Sequence, residues 1–203
     1  MQSFNKPEDL EAYKAHVTNI ALDRFLKLGL GPWSSEMAKS KLPEGAWGTP
    51  AKAASDGLKL LLTGSAGVGK TFMLKRIVWS LALRRKKPRG GYLPAMLDKL
   101  KSGNTSEYTN WLTSGDVLVL DDLDKIRGTH YEGEKLLAII NHYDVNNLPI
   151  LVTMNVEQKQ FVKRIVENGV PADYAEAMLS RLNNRMIANF ISGEDHRKPG
   201  EKK

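Results

Sequence analysis

The eight residues GSAGVGKT, Gly64 to Thr71, decide how the rest of this sequence folds. They match G-x-x-x-x-G-K-[ST], a pattern that carries meaning only where a strand precedes it and a helix follows. Both flanks comply. LKLLLT (58–63) is an apolar run of strand length, and TFMLKRIVWSLALRR (71–85) sets Leu74, Ile77, Val78 and Leu81 on one helical face. Glycines at 64, 67 and 69 let the backbone curl so that successive N–H groups point inward. The helix that starts near Lys70 adds the positive end of its dipole. Such a loop is a phosphate cradle. Gly64, Ser65, Ala66, Gly67, Val68 and Gly69 supply backbone, Lys70 reaches the β- and γ-phosphates, and the Thr71 hydroxyl is a hard oxygen ligand for Mg²⁺.

Downstream, apolar strands alternate with helical stretches. GGYL (90–93) is a weak strand, LPAMLDKLKS (93–102) a helix, and DVLVLDDL (116–123) a buried strand ending in acid. EKLLAIINHY (134–143) is a helix, PILVTMN (149–155) a buried strand, and EQKQFVKRIVEN (157–168) a helix closed by Gly169. Pro171 opens a further helix through Leu182, and RMIANFI (185–191) is a last strand. Apolar strands joined by helical crossovers predict a parallel sheet of about five strands, covered by helices on both faces.

The strand ends narrow the chemistry. Asp121 and Asp122 follow four apolar residues at the carboxyl end of a strand, where an α/β sheet keeps its ligands. Asp121 is suited to the water shell of Mg²⁺, and Asp122 to orienting or deprotonating an attacking water. One of Asp122 and Asp124 is also expected to satisfy orphan helix amides. Asn155 closes a buried strand, and its amide reaches the γ-phosphate and the water if that strand lies between the other two. Arg181 follows a helix of small and apolar residues, with Arg185 four positions on and close to the same face. Either stabilises charge on a transferring phosphoryl group or is a surface arginine paired with Glu176 or Asp173.

Composition sets the frame. The 203 residues carry 41% apolar and 26% charged side chains, as a globular domain does. No apolar run approaches the roughly 18 residues of a membrane span, and MQSFNKPEDLEAYK lacks the pattern of a signal peptide. Without cysteine, disulfides and thiolate metal sites are excluded, which fits a cytoplasmic protein. A formal charge of +7 favours polyanionic partners, although RRKKPR (84–89) also reads as a solvated helix end.

Residues 6 to 28 read as an amphipathic helix with Leu10, Tyr13, Val17 and Ile20 on one face and a capping box at Asn5 and Glu8. Residues 31 to 57 read as mostly loop with one short helix, pinned to the core by Trp33 and Trp47. The expected organisation is an N-terminal helix and linker (1–57), a nucleotide domain (58–197) and a polar tail (198–203).

The ordered set GSAGVGKT, VLVLDD, ILVTMN and LSRL resembles the AAA+ ATPases, and within them the DnaC/DnaI-type helicase loaders and IstB-type transposition helpers. IINHYDVNNLPILVTMN and FISGEDHR are similar to the loaders' sensor segment and terminal ending, so the resemblance covers residues 58 to 197. It implies a P-loop AAA+ core that binds ATP and Mg²⁺, with the active site shared between subunits of a homo-oligomer. Lys70 and Thr71 match the Walker A residues, Asp121 and Asp122 the Walker B acids, Asn155 the first sensor, and Arg181 the arginine finger. The sequence departs from the pattern in two ways. Aspartate stands at 122 where many relatives have glutamate, and little chain follows Arg181, which implies a reduced or missing C-terminal lid.

The function expected is ATP hydrolysis coupled to loading a replicative helicase onto single-stranded DNA. A transposition helper or a small-molecule P-loop kinase is the alternative. The family's initiator-like members meet single-stranded DNA through the segment before the acidic strand. Here that is GGYLPAMLDKLKSGNTSEYTNWLT, where Lys99, Lys101, Tyr108 and Trp111 offer charge and stacking faces, or else pack on the core.

Overall fold

A computed structural model describes residues 7–34, 56–102, 104–126 and 129–196. In chain order these form α1 (Pro7–Leu26), β1 (Lys59–Thr63), α2 (Lys70–Leu83), β2 (Pro88–Tyr92), α3 (Leu93–Lys101), α4 (Thr105–Thr113) and β3 (Val117–Asp121). A 3₁₀ turn (Leu123–Lys125) leads to α5 (His130–Val145), β4 (Ile150–Met154), α6 (Gln158–Glu167), α7 (Ala172–Asn183) and β5 (Met186–Phe190). All five strands are parallel, in the order β2-β3-β4-β1-β5. The three apolar strands β1, β3 and β4 are buried along their whole length, as a sheet covered on both faces requires.

The sheet separates two apolar layers. On one face Leu61, Leu118, Leu120 and Val152 meet Leu93, Met96 and Leu97 of α3, Ile139 and Ile140 of α5, Phe161 of α6 and Met178 of α7. On the other, Leu60, Leu62, Val119 and Leu151 meet Leu74, Ile77, Val78 and Leu81 of α2 together with Phe25, Leu28 and Leu30. The C-terminal end of α1 therefore shares the core of the domain. Its buried residues are Ala21 and Phe25, whereas Tyr13 and Val17 are half-buried and Ile20 is exposed, so the apolar face expected from spacing is only partly used. Arg24 explains the docking point. Its Nη1 donates to the carbonyls of Arg85 (2.8 Å) and Lys86 (3.0 Å), in the basic run just beyond the end of α2. Trp33 stacks on Trp79 at 4.5 Å, pinning the chain after α1. Asn5, Trp47 and the expected short helix fall outside the described residues.

GGYL belongs to a full edge strand that starts at Pro88. Gly90 and Gly91 sit at φ 103° and 138°, and a side chain at Gly91 would strike the Leu28 carbonyl. The segment between β2 and β3 forms two helices rather than one. α5 starts earlier than its apolar run suggests, because Thr129 and Glu132 make a reciprocal capping box. In β1, Lys59 is buried and its ammonium pairs with Asp144 of α5 and with the Asn184 carbonyl (2.8 Å). This bond ties β1 to the turn that enters β5. Among the described residues no helix is long and apolar enough to cross a membrane.

Candidate nucleotide site

The carboxyl ends of three central strands meet along one end of the sheet. β4 lies between β3 and β1, which is the condition under which Asn155 can reach both the phosphate loop and the acids. The register sets Leu62 beside Thr153 and Thr63 beside Met154, so the residues after β1 and β4 emerge together. A cleft of about 290 Å³ opens there, lined by Gly67, Gly69, Lys70, Thr71, Phe72, Asp122, Lys125, Asn155 and His196.

The loop itself takes the conformation that its glycines allow. Gly67 and Gly69 stand at φ 86° and 93°, in the left-handed region, and Gly69 precedes the first turn of α2. Lys70 is buried at 5% exposure, and its ammonium donates to the carbonyls of Gly64 (2.8 Å) and Ser65 (2.7 Å) and to Asn155 Oδ1 (2.9 Å). The Thr71 hydroxyl donates to Asp121, 3.1 Å from each carboxylate oxygen. A hydroxyl and a carboxylate held together at the foot of a phosphate loop are hard oxygen donors of the kind Mg²⁺ takes.

Asp121 is buried, and that burial pushes its carboxyl above the ordinary range. The hydroxyls of Thr153 and Thr71 pull it back, Asp122 pushes it further up, and Lys125 opposes that. A divalent cation would favour the ionised form outright. Asp122 adopts φ 60° and ψ 48°, a left-handed backbone that Asp and Asn tolerate better than other side chains. That turn swings its carboxylate away from Asp121. One oxygen accepts from Asn155 Nδ2 at 3.1 Å, and the other pairs with the Lys125 ammonium.

Three further residues complete this arrangement, of which Thr153 and Lys125 were not singled out by the sequence and Asp124 was named only as a candidate helix cap. Thr153, fully buried in β4, donates to Asp121 Oδ1 at 2.6 Å and accepts the Asp122 N–H at 2.9 Å. Asp124, buried at 3% exposure, accepts the Asn155 N–H at 2.9 Å. It thus satisfies a strand-end amide, whereas a helix cap was expected from one of these acids. Lys125 holds Asp122. The signals available were a polar residue inside ILVTMN and the third acid of DDLD.

Arg181 sits in the last turn of α7, away from this cleft, where Nε donates to Asn141 of α5 at 2.7 Å and Nη1 to the Ala177 carbonyl at 3.2 Å. Its side-chain partner is thus Asn141, and not Glu176 or Asp173, the pairing that stood as the alternative to a phosphoryl-stabilising role. Arg185 does not share a face with it. α7 ends at Asn183, and Arg185 takes φ 58° beyond the helix, donating to Asn147 at 3.1 Å. Tyr108 and Trp111 stack on each other at 5.4 Å on α4, with Lys99 over the first ring and Arg89 over the second. Burial pushes the Tyr108 phenol up to about 12, so it stays neutral.

The family model of the bacterial DnaA ATPase domain matches residues 46–193. The chain belongs to this family. Its fold is the P-loop AAA+ core, five parallel strands between helices. The DnaA of Bacteroides fragilis is 26% identical over 167 residues, covering 79% of this chain and 31% of that protein. An insertion-sequence protein of Mycobacterium tuberculosis, described as ATP-binding, is 28% identical over 149 residues, covering 70% of this chain and 56% of its own. The chain therefore spans about a third of the DnaA it matches and just over half of the insertion-sequence protein. Among solved structures, DnaI superposes with a TM-score of 0.65 at 23% identity, covering 79% of this chain and 89% of that one. DnaA bound to AMPPCP and single-stranded DNA superposes at 0.61 with 20% identity, covering 78% and 50%. The DnaC helicase loader does so at 0.54 with 19%, covering 78% and 100%.

Proposed function

We propose that this chain is an ATP-hydrolysing AAA+ module that assembles with itself and acts in DNA replication on a replicative helicase at single-stranded DNA. The observation that carries the reading is the continuous network from Lys70 through Asn155 to Asp122, with Thr71 and Asp121 paired beside it. Gly64 to Thr71 would cradle the phosphates of ATP, and Thr71 and Asp121 would hold Mg²⁺. The ion, when bound, neutralises charge on the phosphate oxygens. Lys70 exchanges its loop carbonyls for phosphate oxygens. Asp122 accepts a proton from the attacking water, and Asn155 orients that water from between them.

Arg181, bonded to Asn141 and outside its own cleft, supports a role in the site of a neighbouring subunit. The stacked pair Tyr108 and Trp111, with Lys99 and Arg89 over the rings, supports contact with unpaired bases near backbone phosphates. The helicase as partner rests on the fold shared with DnaI and the DnaC helicase loader. The insertion-sequence relative favours a second reading, a helper of transposition with the same chemistry.

The test is ATP turnover per subunit against protein concentration, with and without single-stranded DNA. A rate that climbs with concentration, responds to DNA and falls about 10³-fold or more in Arg181→Ala supports a shared site. A flat rate indifferent to DNA and to Arg181 overturns the assembly reading.

A further inference from the structure

After β5 the chain turns back over the phosphate loop, and residues 191–196 run along it as a strap. The Ile191 N–H donates to the Thr63 carbonyl at 2.7 Å, and the His196 N–H to the Gly67 carbonyl at 3.1 Å. Between these bonds the fit is close. A side chain at Gly64 would come within 2.2 Å of the Ile191 carbonyl oxygen, and one at Gly67 within 1.7 Å of the Asp195 carboxylate. The glycines of the loop thus serve two ends, curling the backbone and admitting the strap. His196 is the last described residue of the strap. Its ring approaches Gly69, with Cδ2 3.9 Å from where a side chain there would begin, and it lines the cleft beside Lys70, Thr71 and Phe72.

Asp195 and His196 differ in what they face. Asp195 packs against the Cα of Gly67 and is not among the residues lining the cleft, whereas His196 is exposed and lines it. An exposed imidazole contributes nothing to the core, yet its backbone is fixed by a hydrogen bond to the loop. It carries at least one ring N–H donor, and a second when protonated. Gly69 is the residue immediately before Lys70, so the ring sits beside the point where the loop enters α2.

We propose that the strap is an integral wall of the nucleotide site and that His196 donates a hydrogen bond to the bound polyphosphate. The inference rests on the nucleotide-binding reading given above and adds a ligand-contacting residue from outside the motifs that carried it.

The experiment is a calorimetric titration of the full chain with MgATP, ADP and inorganic tripolyphosphate, for wild type, His196→Ala and His196→Asn. Thermal unfolding without nucleotide is followed in parallel. We expect His196→Ala to weaken all three ligands about tenfold to a hundredfold, the size of one hydrogen bond to a charged group. His196→Asn, whose amide keeps an N–H donor, should recover most of the loss. Unfolding of the free protein should not change. Equal affinity of wild type and His196→Ala for all three ligands overturns the proposal and leaves the nucleotide site intact. A loss for ATP and ADP but not tripolyphosphate also overturns it, moving the contact to base or ribose. A wild type that binds none of the three overturns the nucleotide reading itself and this inference with it.

Discussion

Thr153→Val is the substitution that tests most directly how the two acids are held. Valine matches threonine in shape, so the fully buried site keeps its packing and loses only the hydroxyl. That hydroxyl donates to the Asp121 carboxylate at 2.6 Å and accepts the Asp122 N–H at 2.9 Å. A hydrogen bond to a charged group contributes about 1.5–3 kcal/mol, and an orphaned buried amide costs about 1–3 kcal/mol. The extra methyl returns about 1 kcal/mol, which leaves a net loss of about 3 kcal/mol. At roughly 2–4 °C per kcal/mol for a chain of this size, Tm should fall by about 6–12 °C. Thr153→Ser keeps both hydrogen bonds and loses one methyl, for about 1 kcal/mol. The measurement is thermal and urea unfolding of the three proteins at neutral and at acid pH. Because the hydroxyl favours the ionised carboxyl of Asp121, the deficit of the valine variant should shrink once that carboxyl is protonated. A valine variant as stable as the serine variant at neutral pH would refute the reasoning, since it would mean the hydroxyl holds neither acid.

Asp144→Ala leaves the Lys59 ammonium buried with only the Asn184 carbonyl as partner, and should cost about 3 kcal/mol in urea unfolding. Burial alone would push the Asp144 carboxyl up, but the bonds from Lys59 and Asn184 outweigh it and hold the group below its ordinary value. Its contribution is therefore present above the unfolded carboxylate pKa and is lost as pH falls through the folded one, so wild type and variant should converge on acidification. Lys70→Ala should abolish nucleotide binding, whereas Asp122→Asn should bind ATP and turn it over about 10²–10⁴-fold more slowly; equilibrium binding and phosphate release separate the two. Trp111→Ala should weaken single-stranded DNA binding by about 1–3 kcal/mol, measured by anisotropy, and Lys99→Glu should lower the salt slope of binding. Unchanged affinity in both would remove this face from the interface.

How much of this was legible beforehand follows from which residues act through a repeating pattern. The core face of α2 was legible because Leu74, Ile77, Val78 and Leu81 recur at helical spacing, and the burial of β1, β3 and β4 because each carries a run of three or four consecutive apolar residues. The phosphate loop was legible because its glycines are needed for a backbone path that other residues resist. Thr153 was not, because a threonine inside a strand is ordinary and only the neighbouring strand makes it a bridge between Asp121 and Asp122. Lys59 was missed for the same reason. Its partner is 85 residues away, and nothing local marks a lysine in an apolar run as paired. The face of α1 was misjudged because periodicity reports which residues share a side and not how much of that side the neighbour covers. Arg24, reaching the carbonyls of Arg85 and Lys86, fixes where the coverage begins.

The sheet order gives Asn155 its place in the site. With β4 between β1 and β3, the residue after β4 stands between a cation from one side and an anion from the other. Its Oδ1 accepts from Lys70 and its Nδ2 donates to Asp122, an assignment that chemistry forces, since an ammonium cannot pair with an amide nitrogen. Aspartate here could not donate to Asp122, and lysine could not accept from Lys70. The Asp122 carboxylate reaches the amide because its backbone turns left-handed at φ 60°, and a short acid suits that turn. The shorter acid at 122 and the amide at 155 are thus one solution. One side chain thus joins the lysine of the loop to the acid that follows the next strand, so any change in the bonding of Lys70 is felt at Asn155 first.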